Sequence, residues 1–500
     1  MEERSIWVDE TFTLFEGAGH GIEVGALLNS ECEKVIKATN ALPVREYKKL
    51  IQYDPSKSVK DCLVSIIETD TQPPLYYLSI HFWMKFFGDS LFSIRLFSVL
   101  LGIAAIITAY FFTTQVFGRS SGIFAAIFLA VSPFFVFFSQ EARNYSMILF
   151  IILLNGYFFV RLKNEQSSKV IIGYIITTVC GLLTHYFYSL VLLGQIFYVM
   201  IFGRSDINIK LRDRFYGSLL ISLLLISPWG LTVVLHGYNY TLTEWIFGFP
   251  STFVGSLKYC FNVFLSLFAA PYDYPRLRYS ILILLLFLLK FLFNPRSRKG
   301  LIMIFAIFSV PLAFMFVVDL LEKAGTLMIP RYYMLAFAGV VPVVGYLFSS
   351  GWKEGLFRAV TILIIAIMLM SSIITVNGWA WQDVSIPRVK EACVWINSHS
   401  VNKKAAVIIN SFRASVIPDV YYLNDDILII PVGSAEEFRE GLESIRGKFD
   451  VVFVAQHTFN KIFGEPIESW YKNVGSPGFR IVQEKAFDSG DILIRKFQSK

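Results

Sequence analysis

Long apolar runs divided by short polar breaks dominate the middle of the chain. A bilayer is crossed by about 20 mostly apolar residues. On that measure the pattern predicts spans at 91–117, 120–138, 144–160, 170–184, 187–203, 215–235, 279–293, 300–318 and 332–349, with a tenth at 358–376. An amphipathic, aromatic stretch at 73–88 precedes them and reads as a surface helix or a half-span. The first 72 residues are mostly polar, with helix-compatible stretches such as 43–52. Beyond 380 the period changes. Ala405–Ile409, Ile427–Pro431 and Val451–Ala455 read as strands, and Phe479–Phe487 with Asp491–Phe497 as a closing hairpin. Ser385 and Pro387 can start a helix running to about 398. Ser434 with Glu437 three residues on is a capping-box signal for a helix to about 446. The predicted fold class is therefore a polytopic α-helical membrane protein, a bundle of about ten or more helices, with a C-terminal soluble α/β domain. Its parts are an outer loop at 1–72, a transmembrane bundle at 73–379 and an extracytoplasmic α/β domain at 380–500.

Composition agrees and narrows the class. Hydrophobic residues make up 55% and charged residues 17% of the 500, against about 25% charged in soluble proteins. A string of soluble domains is excluded, as are a disordered and a fibrous chain. Five cysteines are too few for a disulfide scaffold; Cys32 and Cys62 could pair or could both be free thiols. The net charge of +7 is unevenly spread. Residues 1–72 hold 8 Lys/Arg and 13 Asp/Glu, residues 73–379 hold 22 and 10, and residues 380–500 hold 15 and 15. Positive charge lying between apolar runs marks topology rather than a nucleic-acid footprint.

Basic loops face the cytoplasm. Those at 204–214, 290–299, 161–169 and 353–358 agree on one orientation if 253–269 does not cross. That segment, with Pro250, Pro271 and Pro275 around it, is expected to be re-entrant or to lie at the outer surface. The outer face then collects 1–72, 139–143, 185–186, 236–278, 319–331 and 380–500. The expected location is the plasma membrane, with these segments outside.

The candidate chemistry falls on that face. Asp9-Glu10 is an acid pair beside aromatics, able to supply a general base or simply to cap a helix. In Asp70-Thr71-Gln72-Pro73-Pro74-Leu75-Tyr76-Tyr77 two prolines fix an extended lead into an apolar helix and hold Asp70 and Gln72 at the interface. Glu141, Arg143 and Tyr145 lie in Ser139-Gln140-Glu141-Ala142-Arg143-Asn144-Tyr145, between two apolar runs, where charge is costly and is either paired or functional. His185 closes a helix in Thr184-His185-Tyr186. Arg331 and Tyr332 open an outer-side helix in Pro330-Arg331-Tyr332-Tyr333; an Arg fork at a helix start suits a phosphate, and a snorkelling Arg is the competing role. Tyr238, Tyr240, Trp245 and Phe249 are suited to stacking on a sugar or to anchoring at the interface. No nucleotide-binding glycine motif and no metal-ligand spacing occurs in the sequence.

Taken in order, these segments resemble the family 39-type membrane glycosyltransferases of the GT-C fold, which include protein O-mannosyltransferases and aminoarabinose transferases. The resemblance covers roughly residues 5–350 and is most specific over 70–145. It implies a GT-C-like bundle and transfer of a sugar, hexosyl or pentosyl, from a polyprenyl-monophosphate donor to an acceptor outside the membrane by inverting displacement. By the resemblance Asp9 is the general base and Glu10 its support. Arg143 and Arg331 bind the donor phosphate and Glu141 orients Arg143. Asp70, Gln72, Tyr145, His185 and Tyr332 are supporting residues. It implies no cofactor; a divalent metal could take part, but nothing indicates one. The implied partners are the lipid-linked sugar, a protein, lipid or glycan acceptor, and the bilayer, with no nucleic acid. Gln72 stands where the family commonly has His, and Gln cannot titrate near neutral pH. The family also has a membrane helix before its acid pair. Eight residues precede Asp9 here, too few to cross, so the resemblance implies further apolar sequence upstream or another element that carries the first loop across.

Two other classes fit a polytopic chain. A transporter or flippase of lipid-linked sugars favours inverted repeats and charges at the bilayer midplane, and the sequence has neither. A non-catalytic scaffold displaying the tail would depend on the tail alone.

Overall fold

The computed structural model describes residues 5–28, 41–69, 72–165, 167–206, 209–236, 252–269, 282–286, 288–295, 297–322, 325–376, 389–410, 416–432, 435–457, 479–487 and 492–499. The chain folds into two compact units. One comprises Asp70–Tyr76 and Arg95–Trp381; the other comprises Glu2–Thr69, Tyr77–Ile94 and Gln382–Lys500.

The first unit is a bundle of apolar helices. Among the described residues, six helices are long and apolar enough to cross a membrane: Leu91–Phe117, Tyr145–Leu162, Arg212–Leu235, Arg298–Glu322, Pro330–Gly351 and Gly355–Val376. Each matches a predicted span. The run at 120–138, expected as one helix, is two: Arg119–Ala130 and Pro133–Ser139, bent by 62°. Pro133 lacks the N–H that would continue the ladder, and Ser132 before it takes extended backbone (φ −75°, ψ 116°). The expected spans at 170–184 and 187–203 are the helices Ser168–Leu182 and Tyr188–Asp206. The run at 279–293 ends in a 3-10 turn, Leu289–Phe293. Segment 253–269 forms a 14-residue helix, Phe253–Ser266. At 1.5 Å per residue it is about 21 Å long, against roughly 30 Å for the hydrocarbon core, too short to cross unaided. Its end is tied into the bundle: Ser132 Oγ donates to the Leu267 carbonyl at 2.8 Å, and the Phe268 ring lies 5.4 Å from Phe128.

Between apolar helices in lipid there is little hydrophobic driving force, so close packing and buried polar bonds hold them. Asn155 Nδ2 donates to Thr177 and Thr178 Oγ1 at 3.1 Å, Gln195 Nε2 donates to Asn155 Oδ1 at 2.8 Å, and Tyr174 donates to Gln195 Oε1 at 2.7 Å. One network thus joins three helices. Elsewhere glycine permits contact: a Cβ on Gly345 would come within 2.6 Å of the Ser121 carbonyl oxygen and of Ala125 Cβ. The neighbour there is backbone and cannot swing aside. Gly345→Leu should therefore lower stability by about 1–3 kcal/mol or more, as overpacking does, read as a fall in the thermal midpoint of the purified protein.

The second unit is built on a six-stranded sheet. Its strands are β1 (Leu42–Pro43), β2 (Ala405–Asn410), β3 (Leu428–Val432), β4 (Val451–His457), β5 (Phe479–Phe487) and β6 (Ile492–Ser499), in spatial order β1-β3-β2-β4-β6-β5. β3, β2 and β4 are parallel, and β5 and β6 form the expected antiparallel hairpin. Helices Val389–His399 and Ala435–Ile445 occupy the expected places. Ile408, Ile430, Phe438, Leu442, Val452 and Phe497 make the core, each at most 1% exposed. The unexpected strand is β1, antiparallel to β3 with Leu42 opposite Ile429. Around it Val44 N–H donates to the Ile427 carbonyl at 2.9 Å, Lys48 Nζ donates to the Leu423 carbonyl at 2.8 Å, and Ile6 N–H donates to Tyr422 Oη at 2.8 Å. Residues 2–69 are thus grouped with the tail. β3 offers an edge with open hydrogen-bonding groups, and the two-residue strand β1, with Pro on the edge, pairs with its Leu428 and Ile429.

Candidate active site

Three turns of the helical unit converge at one end. The helix from Pro133 stops at Ser139 because Gln140 leaves helical backbone (φ −93°, ψ 0°). The chain then folds tightly, with Arg143 N–H on the Glu141 carbonyl at 2.7 Å, before Tyr145 begins the next helix. Asn144 Nδ2 ties this turn to the Thr184 carbonyl at 2.8 Å, and Ser98 Oγ ties it to the Arg143 carbonyl at 3.3 Å. Tyr76 Oη and Ser98 Oγ are 2.8 Å apart, and Leu75 N–H donates to the Leu183 carbonyl at 2.9 Å. Pro73 and Pro74 are buried and Gln72 is half-buried beside them. Glu141 is 1% exposed, Tyr145 is buried with its ring 5.2 Å from Phe138, and Arg143 is half-buried.

Arg331 comes from the third turn. Pro330 opens a 3-10 turn, Pro330–Tyr333, leading into the helix Met334–Gly351. Asp319, buried near the end of the preceding helix, fixes the approach by accepting from Thr326 N–H at 2.7 Å, from Leu327 N–H at 3.1 Å and from the Thr326 hydroxyl. Tyr333 Oη donates to the Leu327 carbonyl at 2.7 Å. Arg331 Cζ lies 5.9 Å from the Tyr332 ring, which meets Phe187 at 5.2 Å, and Phe187 meets His185 at 5.3 Å.

His185 feels both arginines. Burial first, and then the charges of Arg143 and Arg331, push its pKa down to about 4. The ring is therefore neutral near pH 7. Its Nδ1 accepts Phe187 N–H at 3.1 Å. Two guanidinium groups whose charges reach a neutral imidazole, at the rim of an apolar bundle, have the chemistry to suit an oxyanion of the phosphate type.

The acid pair belongs to the second unit. Asp9 and Glu10 fall in the first turn of the helix Val8–Ala18. Asp9 is half-buried. Glu10 is fully buried, and its Oε2 accepts Trp7 N–H at 3.4 Å, the capping role expected as the plainer alternative. The same helix is held by Glu16, fully buried, which accepts from the Ser65 and Thr69 hydroxyls. Cys62 is a free buried thiol, not a disulfide partner; its Sγ packs 3.5 Å from the Gly17 carbonyl and 3.2 Å from His81 Nδ1. Burial, with the charges of Glu16 and Asp61, pushes this thiol up to about 12. At pH 8 it should react with a maleimide roughly a thousand times more slowly than an ordinary cysteine. Mass-spectrometric labelling of the folded and the denatured protein checks this. Asp70, Cys32, Tyr238, Tyr240, Trp245 and Phe249 lie outside the described residues.

The family model for dolichyl-phosphate-mannose-protein mannosyltransferase matches residues 71–231. The crystal structure of ArnT from Cupriavidus metallidurans bound to undecaprenyl phosphate aligns with a TM-score of 0.56, and its apo form with 0.53. Each alignment has 10% identity and covers 85% of this chain and 87% of that one. The chain has the GT-C fold of these structures, and its residues 71–231 match that family. No curated protein matches it. The family match spans the Gln72-Pro73-Pro74, Glu141–Tyr145 and His185 segments of this GT-C chain; Arg331 and Asp9 lie outside it.

Two residues of the GT-C unit escaped the sequence reading. Arg95 is 1% exposed and stands one turn before Ser98. Asp319 holds the Arg331 turn. Arg95 is a single charge in a long apolar run and Asp319 lies near the end of one, and an ionisable residue in a membrane helix is a functional candidate by default.

Proposed function

We propose that this protein is a membrane glycosyltransferase that moves a sugar from a polyprenyl monophosphate to a hydroxyl acceptor outside the membrane, with inversion. Arg143 and Arg331 hold the donor phosphate, and Glu141 orients Arg143. The acceptor oxygen attacks the anomeric carbon on the face opposite the phosphate. The bond from that carbon to the phosphate oxygen breaks, its electron pair leaves with the lipid phosphate, and Asp9 takes the hydroxyl proton. Charge gathers on the leaving phosphate, where preorganised cations stabilise a transition state most. Glu10, Asp70, Gln72, Tyr145 and Tyr332 are supporting residues. The reaction so written needs no cofactor, and the acceptor is a protein, a lipid or a glycan.

The observation that carries this reading is that the turns bearing Arg143, His185 and Arg331 are joined at one end of an apolar bundle. The fold similarity to a transferase crystallised with undecaprenyl phosphate supports it. So does an apolar cavity of about 280 Å³ along the helix that follows Arg331, lined by Phe264, Phe308, Leu312, Ala336, Val340 and Val343 among others. Ala336, in that lining, is five residues beyond Arg331, roughly 7.5 Å along a helix axis. The test is incubation of membranes containing the protein with a panel of radiolabelled polyprenyl-phosphate sugars. One donor should yield a labelled product and free polyprenyl phosphate. No product from any donor, with protein and acceptor-bearing membranes present, would contradict the reading.

A further inference from the structure

His185 does more than pack against the helix end that carries it. Its backbone is fixed on both sides: its N–H donates to the Gly181 carbonyl at 3.1 Å, and its carbonyl accepts Tyr188 N–H at 3.0 Å. Its ring is fixed as well, by Phe187 N–H on Nδ1 at 3.1 Å and by the Phe187 ring, which in turn meets Tyr332. A ring nitrogen that accepts a hydrogen bond carries no proton, so a neutral imidazole here has its proton on Nε2. The side-chain charges acting on the ring, Arg143 and Arg331, are both positive and oppose a third. The turn that carries this uncharged N–H donor is tied to the turns of both arginines: Asn144 Nδ2 donates to the Thr184 carbonyl at 2.8 Å, and the Phe187 ring meets that of Tyr332 at 5.2 Å.

We propose that His185 is a binding residue for the donor's phosphate, an imidazole whose Nδ1 accepts Phe187 N–H and whose Nε2–H donates to a phosphate oxygen held with Arg143 and Arg331. This rests on the reading of Arg143 and Arg331 as a phosphate site. A neutral donor adds a directed hydrogen bond without adding charge. The hold on the phosphate then does not strengthen on acidification by way of this residue, and the lipid phosphate can leave after transfer.

The experiment measures binding of undecaprenyl monophosphate to the full chain in phosphatidylcholine nanodiscs between pH 5.5 and 7.5. It compares wild type with His185→Gln, His185→Asn, Arg143→Ala and Arg331→Ala. Gln carries an N–H where His has Nε2, and Asn carries an oxygen where His has Nδ1. If Nε2–H binds phosphate, Gln keeps affinity within a few-fold while Asn loses it by roughly ten-fold or more, the size expected for a hydrogen bond to a charged group. The ratio of wild-type to Gln affinity stays constant with pH, since titration of the phosphate itself affects both. If His185 only fixes the backbone through Nδ1, Asn binds as wild type and Gln weakens, which overturns the inference. A wild-type to Gln ratio that rises as pH falls would show an imidazolium and would also overturn it. In these two cases the arginine variants still lose binding, and the phosphate site stands without His185. Wild type that fails to bind the lipid, or arginine variants that bind it normally, would remove both readings together.

Discussion

Asp9→Asn should lower sugar transfer by a factor on the order of 10² to 10⁴, the usual contribution of a positioned general base. Expression and thermal stability should change little. Asp9 is half-buried in the first turn of its helix. A carboxylate there gains roughly 0.3–1 kcal/mol from the helix dipole, which Asn forfeits. Asn is also nearly isosteric, so packing around the turn is kept while the proton acceptor is lost. Glu10 separates the two roles that an acid pair at a helix start can play. It is fully buried and accepts Trp7 N–H. Glu10→Gln retains an acceptor oxygen and should cost less transfer than Asp9→Asn. Transfer assays with matched amounts of folded protein decide the point. Full transfer by Asp9→Asn would remove Asp9 as the base.

Arg331→Ala should lower transfer by roughly 10² to 10³, the loss seen when one preorganised donor to a developing oxyanion is removed. Arg331→Lys should recover only part of it. An ammonium supplies charge but not the planar fork that bonds two oxygens at once. Arg143→Ala should fall in the same range. The competing role, a snorkelling arginine, makes a different forecast: Ala there would alter membrane insertion or yield and leave turnover per molecule intact. A scaffold that works through its tail makes a third: loss on deletion of the tail and none on Arg331→Ala. Asp319 sharpens the first forecast. Its carboxylate fixes the turn before Arg331 by accepting from Thr326 N–H, Leu327 N–H and the Thr326 hydroxyl. Asp319→Ala should therefore weaken transfer through misplacement of Arg331.

The bundle was legible because hydropathy over about 20 residues is a strong signal that needs no partner. The parallel strands β2, β3 and β4 were legible for a similar reason, since a strand buried on both faces is a short apolar block. β1 was not. Two residues carry no period, and Leu42–Pro43 becomes a strand only because β3 offers an edge. The break at Ser132-Pro133 was written in the sequence but was outweighed by the apolar residues on both sides. The candidate site was legible residue by residue and not as an arrangement. Arg143, His185 and Arg331 come from three distant turns, and no local pattern says that the charges of both arginines act on His185. Arg95 was overlooked because one arginine barely lowers the hydropathy of a 27-residue helix. Its burial is what marks it.

The central claim is transfer from a lipid phosphate, and the rival with the same substrate is movement of that lipid across the bilayer. Reconstituted vesicles loaded with acceptor-bearing membrane extract and given a radiolabelled polyprenyl-phosphate sugar distinguish them. Transfer predicts label in a product separable from the lipid donor, one polyprenyl phosphate released per sugar moved, and loss of both with Asp9→Asn. Label that crosses the vesicle membrane still attached to its lipid, with no polyprenyl phosphate released, would contradict it.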